Sequence, residues 1–141
     1  LRVRPSVHQT ELHPYLQQKK VVELCEKEGI MLQAYASLGG QDTKDGHWKA
    51  LKQPALLDHP AVLKAAKAHS SSSACVLLRW ALQKGWAVIP KSSSKSRIAS
   101  NIAVAFSLSS DEMAALDALD LGGMTGRLCW RRDELRDLEF E

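Results

Sequence analysis

Lys91, Ser92, Ser94, Arg97 and Asn101 fall within eleven consecutive positions. An ammonium, a guanidinium fork and hydroxyl donors in one short stretch suit a phosphate dianion or a carboxylate. Residues 86–89 form a short apolar run of strand type after Gly85, stopped by Pro90. A polar loop follows. From Arg97, apolar side chains at 98, 102 and 106 predict a helix running to Phe106. A strand, a hydroxyl-rich basic loop and a helix opening together aim free N–H groups and a positive dipole end at the loop. Arg97, Ser100 and Asn101 share one helical face, opposite Ile98, Ile102 and Phe106. The plain alternative is a solvated face with two surface cations.

The charge distribution favours the anion reading. Residues 59–110 contain no Asp or Glu and seven Lys or Arg. The flanks differ: residues 1–58 hold eight basic and seven acidic side chains, and residues 111–141 hold four and nine. The net charge of +3 is too modest to indicate nucleic acid, and the basic block lacks the interleaved exposed aromatics of a nucleic-acid binder. A hydrophobic fraction of 45% and a charged fraction of 25% are ordinary for a folded globular chain. No apolar run approaches the roughly 20 residues of a membrane span, and the basic start leads into no apolar leader core. Cys25, Cys75 and Cys129 are odd in number, far apart and without CxxC spacing. That argues against a zinc site or disulfide framework and predicts a reducing compartment, the cytoplasm.

The elements that must position these groups are readable in order. Residues 6–11 read as a strand, 16–28 as a helix stopped by Gly29, and 30–35 as a second strand. Residues 36–53 form a long polar loop, whose length points to function. His59-Pro60 opens a helix with Pro at its first position. Residues 70–73 supply a connector and N-cap for the most apolar helix, 74–84. After the third strand, the basic loop and its helix, Ser109 to Glu112 forms a capping box ahead of Met113, Leu116 and Leu119. Strands alternating with helices imply an α/β fold with a parallel sheet. Ligands of such folds bind at the carboxyl ends of the strands. Gln9, Glu11 and His13 lie near that end of the first strand, Tyr35 of the second and Lys91 of the third. Each alone has an ordinary structural reading; their shared position is harder to dismiss.

Taken together, VHQTELHPYL (7–16), AYASLG (34–39), VLLRW (76–80) and VIPKS (88–92) followed by Arg97 and Asn101 resemble the aldo-keto reductases in order and spacing. The resemblance covers residues 5 to about 119. It implies a (β/α)8 barrel that reduces aldehydes and ketones with NADPH. By that resemblance, Gln9 bonds the nicotinamide carboxamide and Tyr35 stacks on the nicotinamide ring. Leu38, Gly40 and Asp42 fold over the pyrophosphate. Lys91, Ser92, Ser94 and Arg97 hold the adenosine 2′-phosphate, and Asn101 the adenine. The chain departs from the pattern at His8 (usually Asn), at Ala36-Ser37 (usually Ser-Pro) and at Ser100 (commonly Glu).

A complete barrel needs eight strands and about 250 residues. The three strands here resemble the sixth to eighth. The family's catalytic Asp, Tyr, Lys and His belong to earlier strands, so no catalytic residue is assigned. Residues 1–120 are expected to be the C-terminal part of the barrel, and 121–141 a tail matching the substrate-pocket loop, with Trp130 in the pocket. The chain, which begins with Leu, reads as the NADP(H)-binding half of a reductase of small carbonyl substrates, inactive alone. The alternative is a non-catalytic truncated isoform that binds nucleotide or a protein partner. Missing strands should also leave open sheet edges and uncovered inner faces at Val7, Ile30, Leu32 and Val88.

Overall fold

The computed structural model describes residues 3–40 and 53–129. Three strands form one parallel sheet in the order β1 (Val7–Glu11), β2 (Met31–Tyr35), β3 (Ala87–Val88). β1 pairs with β2 along its whole length, Val7 opposite Met31 through Glu11 opposite Tyr35. β3 pairs only Ala87 with Gln33 and Val88 with Ala34. The third strand is thus shorter than the predicted 86–89, because Trp86 leaves the ladder to pack inward, 6% exposed.

Helix α1 (Lys19–Glu28) joins β1 to β2 and ends at Gly29, whose φ of 66° is the left-handed geometry glycine adopts without strain. It begins three residues later than expected. His13 and Leu16 form a small antiparallel bridge, and Gln18 turns with φ 45°. The Gln18 amide donates to Thr10 Oγ1 and to the Glu11 carbonyl. The segment is a buried turn, with Leu12, His13, Tyr15 and Leu16 each at most 1% exposed.

A 3-10 turn (Leu56–Asp58) precedes α2 (Pro60–Ala68) and α3 (Ser73–Gln83). Their caps match the local chemistry: His59 Nδ1 accepts from Ala61 N, with Pro60 at the first turn, and Ser72 Oγ accepts from Cys75 N. α3 packs on α2 and on β3 and carries Val76, Leu77, Trp80 and Ala81, all 0% exposed. α5 (Ser110–Asp117) opens on both halves of the predicted capping box and packs on α2.

Helix α4 (Lys95–Asn101) departs from expectation. It starts at Lys95 because Ser94 caps it, and it stops at Asn101. The 98/102/106 period therefore builds no buried face: Ile98 is 52% and Ile102 80% exposed. Phe106 instead stacks on His69, ring centroids 4.9 Å apart.

The register also reassigns the sheet faces. Val7, Gln9 and Glu11 share a face with Met31, Gln33 and Tyr35, since paired residues of parallel strands point the same way. Leu32, 4% exposed, lies on the other face, and Ile30 and Val88 pack against the same helix-covered core. Of the four side chains expected to be uncovered, Val7 alone is clearly so, at 49%; Met31 (52%) and Ile89 (42%) complete the open apolar strip. This strip and the sheet's outer edges should drive self-association. Size-exclusion chromatography with light scattering is expected to find dimers or larger species; a clean monomer would contradict it.

Candidate functional site

The turn after β2 forms one wall of the site. Gly39 N donates to the Ala36 carbonyl at 2.8 Å and Ser37 Oγ to the Ala34 carbonyl at 3.0 Å. Gly39 has φ 81°, a left-handed conformation that favours glycine, and a Cβ there would press on the Leu56 side chain, with Cδ1 at 2.9 Å. The turn brings Leu38 and Gly40 beside Tyr35 on one cleft.

The opposite wall comes from β3 and α4. Ser92 Oγ accepts from Ser94 N at 3.1 Å, Ser94 Oγ accepts from Arg97 N at 3.4 Å, and Ser100 Oγ donates to the Arg97 carbonyl at 3.1 Å. These local bonds set the opening of α4 and the position of Arg97. Cys75 Sγ donates to the Ser100 carbonyl at 3.1 Å and ties α4 to α3. Lys91, Ser92, Arg97, Ser100 and Asn101 all line the cleft.

The cleft has a volume of about 610 Å³ and also takes in Gln9 from β1, within the usual range for cofactor sites. Eight expected residues thus meet: Gln9, Tyr35, Leu38, Gly40, Lys91, Ser92, Arg97 and Asn101. Ser94 is placed as the cap of α4, its hydroxyl also bonded to Ser96 Oγ at 2.9 Å, and does not line the cleft. Asp42 and Trp130 lie outside the described residues. Leu57, Ser72 and Cys129 line the cleft unforeseen; they arrive through tertiary packing, and no local spacing marks them.

The electrostatics are one-sided. Among the described lining residues there are two cations and no carboxylate. The Tyr35 phenol is held well above its ordinary pKa, first by burial and then by the charges of Glu11 and Cys129, with Arg127 opposing. The Cys129 thiol is pushed up to about 11 by burial and by Glu11, again against Arg127. Both groups therefore stay protonated and hold their protons tightly near neutrality. Among the described residues no cluster of His, Cys, Asp or Glu could hold a metal ion, and no helix is long and apolar enough to cross a membrane.

A cleft of this composition can take a ligand with an aromatic ring and a phosphate. A family model described as "Aldo/keto reductase family" matches residues 1–121. The chain is similar to the NAD(P)H-dependent D-xylose reductase I,II of Candida tropicalis, 43% identical over 122 residues that cover 85% of this chain and 38% of that protein. It is similar to aldo-keto reductase family 1 member A1 of Cricetulus griseus, 44% identical over 119 residues, 84% of this chain and 36% of that protein. A solved structure, Gox0644 in its apo form, superposes with a TM-score of 0.77 at 35% identity, covering 92% of this chain and 43% of that one. The matched region thus spans less than half the length of each of these proteins.

Proposed function

The chain belongs to the aldo/keto reductase family, and from that membership we propose that its cleft is the NADP(H)-binding part of a carbonyl reductase. The single observation that carries this reading is the cleft lining: Tyr35, Lys91 and Arg97 on one surface with no carboxylate among the described lining residues. That donor set fits the dinucleotide. Lys91, Ser92 and Arg97 would hold the 2′-phosphate, a guanidinium and an ammonium around a dianion. Asn101 would meet the adenine, Leu38 and Gly40 the pyrophosphate, Tyr35 a face of the nicotinamide, and Gln9 its carboxamide. When bound, NADPH supplies the hydride for reduction of an aldehyde or ketone. The chain's own residues bind and orient; Tyr35, in this reading, is a stacking surface and gives up no proton.

The remainder of the reaction falls to residues outside this chain. The three strands act as the sixth to eighth of an eight-stranded barrel, and a preceding half would bring the proton donor. Matched shares of only 38% and 36% of the relatives support this. The same shares support a second reading, a non-catalytic product that retains nucleotide binding. The reading frame upstream of Leu1 separates the two.

Titration with NADPH and NADH tests the cofactor reading. Arg97→Ala should weaken NADPH about ten- to a hundredfold, the loss of a charge-assisted contact of roughly 1.5–3 kcal/mol, and change NADH by less than about threefold, since NADH lacks the phosphate. Equal losses for both cofactors would show that Arg97 does not touch it.

A further inference from the structure

Glu11 is a carboxylate with no exposure at all, and its partners are unusual. Its Oε1 accepts from Leu128 N at 2.7 Å, from Cys129 N at 2.9 Å and from His13 Nε2 at 3.0 Å. Since an ionised carboxylate only accepts, this contact calls for the His13 tautomer with its proton on Nε2. The guanidinium of Arg127 lies 3.5 Å from Oε2. A buried carboxylate is costly unless bonded, and two of the three donors here are main-chain groups 117 and 118 positions away. The approach is fitted on both sides. Gly126 lies so close to the Tyr15 carbonyl that a Cβ could not be accommodated, Leu121 N donates to the same carbonyl at 3.0 Å, and Leu128 is 1% exposed.

The register gives this contact its place in the cleft. Glu11 stands directly opposite Tyr35 and two positions from Gln9 on the same face. The strand face that presents Gln9 to the cleft therefore holds the tail beside Tyr35. Cys129, the residue whose amide Glu11 binds, lines that cleft.

We propose that Glu11 is a positioning residue: its carboxylate clamps the main chain of Leu128 and Cys129 across the strand ends, so that Cys129 forms the cleft wall beside Tyr35. The proposal rests on the nucleotide reading only for what that wall closes upon. Any ligand ring seated on Tyr35 is then held in by the tail, and the clamp governs escape more than entry.

Hydrogen–deuterium exchange on the purified chain tests the clamp without any ligand. The Leu128 and Cys129 amides should be protected in the parent chain. Glu11→Gln keeps the shape and loses the charge, and should speed their exchange about tenfold; Glu11→Leu removes every acceptor and should speed it further. The α3 amides of Val76 to Trp80 should stay protected in both variants. In stopped-flow displacement, NADPH should leave Glu11→Gln about tenfold faster, with its association rate nearly unchanged. Unprotected tail amides in the parent, unchanged exchange in Glu11→Leu, or α3 protection falling in step with the tail would overturn the clamp, the last by making Glu11 a general stability residue. If the tail amides respond while the parent chain binds no NADPH, the clamp stands and the nucleotide reading fails. If NADPH binds and leaves both variants at the parent rate, the clamp plays no part in the cleft and the proposal is lost.

Discussion

Purified chain mixed with NADPH and a reactive aromatic aldehyde should show no measurable turnover. A carbonyl oxygen that receives a hydride at its carbon must also receive a proton. A general acid does this well when its pKa lies near the working pH, and its loss typically slows catalysis by about 10²–10⁴-fold. The described cleft offers no such group. Tyr35 is pushed far above neutrality by burial, and Cys129 stands at about 11. Tyr15 is raised to about 12 and donates to the Pro54 carbonyl at 2.8 Å, buried away from the cleft. His13 is fully buried on Glu11. A spectrophotometric assay following NADPH absorbance is the direct measurement. An ordinary rate, about 1 s⁻¹ or more, would mean that these 141 residues contain a proton donor, and the half-site reading would be wrong.

The readable parts of this chain are those set by neighbours a few residues away. Ser109 and Glu112, Pro60, Gly29 and Ser72 mark helix ends because capping is a three- or four-residue affair. The cleft was readable for a related reason: in a parallel sheet the strand ends gather on one side, so Gln9, Tyr35 and Lys91 converge once the strands are recognised. Charge and spacing alone indicate only an anion; the dinucleotide rests on the family resemblance. Where the reading failed, distant contacts decide. Alternation along β2 says that Met31 and Leu32 point apart, but not which one meets the helices; only pairing with β1 and the packing of α1 settle that. The end of α4 at Asn101 is not legible in the sequence, because Ile98, Ile102 and Phe106 keep a helical period that the chain does not use. The role of Glu11 depends on amides more than a hundred positions away.

Trp80→Ala should cost about 3–5 kcal/mol of stability, the usual range for removing a buried large aromatic. Trp80 is 0% exposed on α3, where that helix packs on β3 and α2. Its ring meets Trp86 edge-on at 5.3 Å, and Nε1 donates to Asp117 Oδ1 at 2.8 Å. Asp117 Oδ2 in turn takes Lys84 Nζ at 2.7 Å, and that ammonium sits 5.5 Å from the Trp80 ring centre. One side chain thus fastens α3 to the residue just before β3 and to the end of α5. The polar loss matters less than the cavity, because the side chain of Asp117 is 37% exposed and can turn to water. Trp80→Phe, which keeps a ring but loses the N–H, should therefore recover most of the stability. A chain of this length commonly has only about 7–15 kcal/mol in total, so Trp80→Ala should unfold at much lower urea while Trp80→Phe stays near the parent. Far-UV circular dichroism across a urea series measures both. A loss below about 1 kcal/mol for Trp80→Ala, well under the cavity range, would show that α3 does not seat Trp80 between the sheet and α5.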